Sequence, residues 1–400
     1  MTTYRANVRQ QPLRHCRQRP IHQDLEDNLM GAMDELINSE VIAQLGASLH
    51  AVSASQELTQ LKLSASGLAG MRLRDRVNVV RDALAADLPE DFTATRRLIH
   101  EALNDPQLTG WMIWPVSELI TTRALASGTS EDFDAAMDTL ALLTGRLTCE
   151  FAIRDLIIAR PERALDHANE WTDHHDEHVR RLATEGTRAF LPWAKRVPWL
   201  VAHPRATRSI LDGSYQDPAE YVRRSVANHL NDLSRVDPDA LLQTATAWAG
   251  KADHNTAWIL RHGLRTLTKQ GNSQALSLLG FSGENLSITV PELAHHRIEW
   301  HGLVEFTAHV TNHGRSEANV AIDYNIGFQR ANGTLGTKTF KLATRKIEPG
   351  GTVTLRKSHS FRPITTRRYY PGVHTVTVQA NGLKSEQADF ILSGEPEGLA

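Results

Sequence analysis

Residues 178–189 read HVRRLATEGTRA, and forty-three positions on, residues 221–232 read YVRRSVANHLND. Both sit in stretches whose apolar residues recur at three and four, the spacing that gathers them on one face of an α-helix. Aligning Arg181 with Arg224 and then with Arg261 superposes VRRLATEG, VRRSVANHL and ILRHGLRTL at offsets of 43 and 37 residues. That period, close to the ~40–47 residues of HEAT-type units, is the signature of stacked helical repeats. EFAIRDLIIARP at 150–161 and RLIHEALNDP at 97–106 fit as further members. One such unit cannot bury its own apolar face, so stacking stabilises the array and leaves a curved inner surface.

On a helix turning about 100° per residue, Val222, Val226, Leu230 and Leu233 fall on one side, and Arg224, Asn228, Asn231 and Asp232 on the other. In the preceding copy Val179, Ala183 and Phe190 take the buried positions, while Arg181, Glu185 and Arg188 share the opposite face. The next copy offers Arg261, Arg265 and Lys269 there. Solvated helix faces, the plain alternative, usually mix Glu and Lys four apart for mutual support. Here arginine, asparagine and isolated acids recur at matching phases with almost no lysine. Arginine and asparagine are forked groups suited to phosphates and base edges. A carboxylate in such a strip repels a polyanion, so Glu185 and Asp232 need another reason to be there, and chemistry on a cationic centre is one.

The 400 residues, 41% of them apolar, suffice for two or three cores without disulfide or metal staples. Cys16 and Cys149 lie far apart, with Cys149 inside a helical pattern, so neither a disulfide framework nor a zinc knuckle is available and a reducing, cytoplasmic compartment is expected. The longest apolar runs, such as WMIWPV at 111–116, fall short of the ~20 residues of a bilayer span, so a soluble protein is expected. The net charge of −2 says less about partners than where the basic residues cluster. Residues 1–23 carry Arg5, Arg9, Arg14, Arg17 and Arg19 without an acid. No apolar face at helical spacing runs through them, which predicts a disordered arm over residues 1–25 in preference to a targeting signal.

Near residue 284 the apolar period changes to two. Alternating runs (NLSITVPEL, VEFTAHVTN, NVAIDYNIGF, KTFKLATRKI, TVTLRK, HTVTVQA) are separated by NHG, ANGTLG, EPGG and YPG, which are turn chemistry. This predicts an antiparallel immunoglobulin-like sandwich without the Cys-Trp-Cys core of antibody domains. The expected fold is mainly α: a HEAT-like helical-repeat solenoid over residues 26–281, then an all-β domain over residues 282–400.

The phrases TCEFAIRDLI (148–157), HVRRLATEGTRAFLPWA (178–194), YVRRSVANHLNDLSR (221–235) and RHGLRTLTKQGNSQALSLLGF (261–281) resemble the AlkC branch of the AlkC/AlkD alkylpurine DNA glycosylases, over roughly residues 30–281. The resemblance implies a HEAT-like domain, commonly followed by an immunoglobulin-like one. It also implies excision of positively charged methylated bases (3-methyladenine, 3-methylcytosine, 1-methyladenine) from double-stranded DNA, by hydrolysis of the N-glycosidic bond without turning the base out of the helix. Carried over residue by residue, the acidic pocket positions are Glu150, Glu185 and Asp232, and the aromatic of LPWA is Trp193. Arg181, Arg188, Arg224, Asn228, Asn231, Arg265 and Lys269 are the expected DNA contacts, chiefly from the helix faces. No metal or cofactor is implied, and a cytoplasmic, nucleoid-associated monomer without membrane attachment is expected. The competing class is a non-catalytic nucleic-acid or protein scaffold, since fold alone does not dictate function.

A base methylated at N3 or N1 is cationic and leaves without much help from a general acid. What remains is to stabilise the sugar as it gains oxocarbenium character and to deliver water, tasks that ionised carboxylates perform. In the β region Lys338, Lys341, Arg345, Lys346, Arg356, Lys357, Arg362, Arg367 and Arg368 face a single acid, Glu348. They are expected to grip DNA backbone, with protection of edge strands as the alternative. His174, His175 and His178 have ligand-like spacing but no partner set, and Asp176 there reads as a helix cap. GTLGTKT at 333–339 reads as a hairpin turn and not a phosphate loop. Trp111 and Trp114, with Glu118 a turn beyond, read as core aromatics.

Overall fold

The computed structural model describes residues 33–54, 57–364 and 367–394; the basic arm over residues 1–25 lies outside them. Among the described residues sixteen α-helices lie between Ser39 and Leu278 and ten strands between Leu286 and Ser393, so the mainly-α region with an all-β domain behind it is as expected. Polar caps begin the helices: Asn38, Asp91, Thr129, Asp176, Asp237 and Asn272 each accept from a main-chain N–H one turn on, satisfying donors that the first turn leaves free. Asp176, the cap expected from WTDHHDEHVRR, accepts from His178 N at 2.8 Å.

The doubled VRR phrase forms the helices Glu177–Gly186 and Glu220–Asp232. They pack side by side, and Thr256–Gly263 packs on the second of them. The stripe Val222, Val226, Leu230 and Leu233 is buried as the periodicity requires. The helices approach closely at two glycines: a Cβ on Gly186 would stand 2.8 Å from Ile153 Cγ2, and one on Gly263 2.6 Å from Leu230 Cδ2. Each marks where one repeat leans on its predecessor. The first arginine of each copy has the same task. Arg180 Nη1 donates to the carbonyls of His174 and His175 at 2.9 and 3.0 Å, and Arg223 Nη1 to those of Asp217 and Pro218 at 2.6 and 2.8 Å. In both copies the carbonyls lie six and five residues back, so the guanidinium closes the turn that delivers its own helix.

The EFAIRDLI segment departs from expectation. Its helix begins only at Ile153, and Cys149 and Glu150 stand in the connection after Ser130–Leu143. Thr144 Oγ1 accepts from Cys149 N at 3.3 Å there, and Thr148 Oγ1 donates to Glu150 Oε2 at 2.9 Å. Hydroxyls that compete for local main-chain and side-chain partners favour such turns over helix. Cys149 is therefore a buried loop thiol, and burial pushes its pKa far up.

In the β domain, β4 (Leu303–Asn312) pairs with β1 (Leu286–Ile288), β2 (Glu292–Leu293) and β7 (Thr352–Ser360). The second sheet runs β3 (Arg297–Glu299), β10 (Ala388–Ser393), β8 (Gly372–Ala380), β5 (Ala318–Gln329), β6 (Leu335–Ile347), with β9 (Leu383–Lys384) on β8. Alternate residues Phe306, Val310, Tyr324, Phe328, Val376 and Phe390 fill a separate core. GTLGTKT leads from the β5–β6 turn into β6, with Gly333 at φ 80°. Asn381 of the β domain holds the segment that follows the last helix, its Nδ2 donating to Ser282 O at 2.7 Å. Beside it Gly382 lies so close to the last helical repeat that a Cβ would stand 2.4 Å from Gly271 O.

Candidate active site

Three acids from three successive repeats meet two arginines in one row. Arg181 Nη1 donates to Glu150 Oε2 at 2.8 Å and to Thr148 Oγ1 at 3.2 Å, and its Nη2 lies 3.8 Å from Glu185 Oε2. Arg188 Nη1 donates to Glu185 Oε1 at 2.6 Å. Its Nε and Nη2 take the two oxygens of Asp232 at 2.9 and 3.2 Å, and Phe190 N donates to Asp232 Oδ2 at 3.3 Å. Glu185, Arg188 and Asp232 are 6%, 7% and 4% exposed. Burial acts to lower the pKa of both arginines, but Glu150 and Glu185 around Arg181, and Asp232 and Glu185 around Arg188, outweigh it and hold both values raised. Both guanidiniums therefore stay charged at any working pH.

The remaining oxygens are unequal. Asp232 has both oxygens engaged, whereas among the described residues Glu150 Oε1 makes no hydrogen bond and Glu185 Oε2 has only the longer approach of Arg181. Behind the row, His229 is buried between Thr207 Oγ1 at 3.1 Å and Thr184 O at 2.9 Å. Burial holds its pKa down to about 4, with Asp232 acting the other way. It is neutral near pH 7 and acts as a packed link between the two VRR helices.

The structure thus brings Glu150, Glu185 and Asp232 together, and it places the expected DNA contacts differently from one another. Arg181 and Arg188, read from helix phase as phosphate grips on an open strip, are largely buried and spend their donors on carboxylates. A phase argument shows which face a side chain shares, and not which charge on the next repeat claims it. Arg224 is exposed and pairs, among the described residues, only with Glu220, at 2.7 Å on its own helix. Asn228 Oδ1 accepts from Arg265 Nη2 at 3.2 Å and lies 3.0 Å from His262 Nε2, while buried Asn231 accepts from Thr266 N at 3.2 Å. Arg265 and Lys269 are exposed and line a cleft of about 860 Å³ with Arg261, Asp323 and Lys341 of β5 and β6. Trp193 is 82% exposed and has φ 58°, a left-handed conformation unusual for a bulky residue.

Several neighbours were not singled out in the sequence. The ring of Tyr221 lies under Arg181, 4.6 Å from the guanidinium carbon, and Trp258 stacks on His262 at 5.3 Å. Both occupy exposed phases beside the duplicated phrase, a signal that phase analysis alone could have raised. Trp114 is core, stacked 4.4 Å from Phe151 beside Glu150, and its Nε1 donates to Glu118, which also takes Arg74 at 2.6 Å. In the β domain the cations of β6 and β7 lie on edge strands; Lys346 pairs with Glu317, and Arg367 lies 4.0 Å over Phe328. No helix among the described residues is long and apolar enough to cross a membrane.

Fold and site together define a helical-repeat protein with paired carboxylates and guanidiniums at the junctions of its repeats, and an immunoglobulin-like domain behind them. A model of the DNA alkylation repair enzyme family matches residues 64–267, and one described as the YhaZ C-terminal Ig-like domain matches residues 287–394. The chain belongs to the DNA alkylation repair enzyme family. It is 32% identical over 370 residues to the uncharacterized protein YhaZ of Bacillus subtilis, covering 90% of this chain and 99% of that one. It is also similar to the Pseudomonas fluorescens alkylpurine DNA glycosylase AlkC, solved bound to DNA containing an abasic site analog. That match has a TM-score of 0.74 and 31% identity, covering 90% of this chain and 99% of AlkC. The resemblance drawn from the four sequence phrases is borne out by these matches.

Proposed function

We propose that the chain is a monofunctional DNA glycosylase that removes cationic alkylated bases, of the 3-methyladenine, 3-methylcytosine and 1-methyladenine type, from double-stranded DNA. The observation that carries this is the row Glu150–Arg181–Glu185–Arg188–Asp232, three carboxylates with two built-in counterions. Its likeness to AlkC, a glycosylase solved on DNA with an abasic site analog, supports the same reading.

The N-glycosidic bond breaks with its electron pair going to the base nitrogen, which neutralises the charge of the methylated base. The sugar C1′ becomes cationic as it does so, and the ionised row stabilises that charge. Water then forms the new C–O bond, releasing its proton to a carboxylate or to solvent. Glu150 Oε1 and Glu185 Oε2, the oxygens with least engagement, are assigned to orient that water. Asp232, gripped at both oxygens, is assigned to electrostatic stabilisation. The leaving group's own charge gives the selectivity, so no deep pocket is required and the base stays unflipped. Trp193, Arg224, Asn228, Arg265 and Lys269 are assigned to DNA, whereas the expected contact Asn231 is withdrawn, being buried against Thr266 N. Lys338 and Lys341, which line clefts with Lys269, extend the grip to the β domain as a second backbone clamp.

The test is incubation with methylated duplex DNA and assay for free 3-methyladenine or 3-methylcytosine. Release that falls at least about a hundredfold in Glu150→Gln with DNA affinity retained supports the assignment. A wild-type chain that binds the duplex and releases neither base is a scaffold, and the proposal fails.

A further inference from the structure

We propose that Arg154 is a positioning residue for this site, its guanidinium fastening the loop that carries both Arg188 and Trp193; this rests on the glycosylase reading above. Arg154 lies in the helix Ile153–Ala159 and is completely buried. Its Nη1 donates to the carbonyls of Gly186 and Arg188 at 3.1 and 2.7 Å, and its Nε to that of Lys195 at 2.7 Å. Gly186 ends the first VRR helix, and Lys195 follows the LPWA phrase. One guanidinium therefore holds both ends of the segment in which Arg188, Phe190 and Trp193 all stand.

The chemistry of the choice argues for positioning over packing. An aliphatic side chain would fill the same space at less desolvation cost, and Arg154 Nη2 finds no hydrogen-bond partner, so the residue is not present because its donors are all satisfied. What the guanidinium adds is a fixed planar fork for carbonyls on two sides of a loop. Arg188 is consequently held at both ends, by Arg154 at its carbonyl and by Glu185 and Asp232 at its side chain. The buried charge also adds a third cation behind three carboxylates. Burial, then Arg196 and Arg188, lower its pKa to about 10, with Asp232 and Glu150 of the row acting the other way, so it stays charged near pH 7. On its own helix Asp155 is paired with Lys195, at 2.6 Å.

Arg154→Lys keeps the charge and loses the fork; Arg154→Gln loses the charge. Single-turnover excision, affinity for an abasic-analog duplex, the rate–pH profile and Tm are measured on both variants and on wild type. Excision is expected to fall about tenfold or more in each, with affinity within about threefold of wild type. The acid limb of the profile should rise by roughly half a pH unit or more in Arg154→Gln, because the carboxylates lose a neighbouring cation, and stay in place in Arg154→Lys. Wild-type excision in both variants overturns the proposal. So does a loss of rate and affinity together that follows the loss of Tm, with the limb unmoved, which is what a merely structural residue gives. If Arg154→Gln does not fold, the rate-against-affinity split in Arg154→Lys decides alone. Failure of the glycosylase reading shows separately, as a wild-type chain that releases no base.

Discussion

Arg188 offers Nε and Nη2 to the two oxygens of Asp232 at 2.9 and 3.2 Å, joining the end of one repeat to the last residue of the next helix. Such a fork-to-carboxylate pair fixes direction as well as distance. Replacing Asp232 by Asn keeps the shape and removes the charge. Excision is expected to drop at least about a hundredfold while DNA affinity holds or rises, since one repulsive charge is gone. Unfolding stability should fall by about 1–3 kcal/mol, because Arg188 then keeps only one of its two ionic partners, Glu185, in a buried place. Parallel excision, binding and melting measurements check this, and wild-type excision in Asp232→Asn would remove the residue from the mechanism.

The burial of Arg188 separates it from the exposed cations. Lys cannot make the two-pronged contact, so Arg188→Lys is expected to lower excision and Tm while leaving the slope of log affinity against log salt as it is. Lys269→Ala should leave the unfolding free energy within about 0.5 kcal/mol of wild type and reduce that slope by about one. A salt titration of both variants decides whether Arg188 belongs to the row or to the phosphate contacts.

Trp193 combines full display with an unfavourable backbone. Glycine relieves a left-handed conformation that costs a larger residue roughly 1–2 kcal/mol. Trp193→Gly is therefore expected to melt at or above the wild-type temperature and yet to lose about 1–3 kcal/mol of DNA affinity, the amount expected of one stacking aromatic. Unchanged affinity in this variant would take Trp193 out of the interface.

Buried histidines predict the acid side of the stability curve. His229 and His359 have folded pKa values of about 4, burial being the first cause in each, against 6.5 when free. The folded values are depressed, so the unfolded chain binds more protons between these limits. Stability is full above about pH 6.5 and falls as pH drops towards 4, by up to about 3 kcal/mol for each histidine. Denaturant unfolding from pH 7 to pH 4.5 measures the fall, and His229→Asn should flatten part of it.

How much was legible in the sequence follows from how each feature is encoded. The change of apolar period near residue 284 is a local signal, and helices ending at Leu278 with strands from Leu286 reflect it. The buried stripe of Glu220–Asp232 is equally local. Glu185 and Asp232 stood out on the helix faces and Glu150 only through the resemblance, and the convergence of the three depends on how repeats stack, which no single repeat records. For that reason Arg181 and Arg188 were assigned to phosphates when their neighbours across the stack are carboxylates. Arg154 had a visible trace, a charged residue at a buried phase between Ile153 and Leu156 of EFAIRDLI, but its carbonyl partners are over thirty residues away. Cys149 was misplaced in a helix because apolar spacing continues through a turn that side-chain hydroxyls impose.

The matched bonds of Arg180 and Arg223, each to carbonyls six and five positions behind, carry a last consequence. Each rung of the stack latches its own entrance, and Arg180 also reaches the next, its Nε and Nη2 donating to the two oxygens of Asp217 at 2.6 and 3.1 Å. The adjacent position is thereby released from structural duty: in one rung it is Arg181, bound to acids, and in the next it is Arg224, open to solvent. With the latch carried by one residue, its neighbour is free to vary, and the proposed roles, carboxylate row in one rung and DNA contact in the next, fall on that freed position.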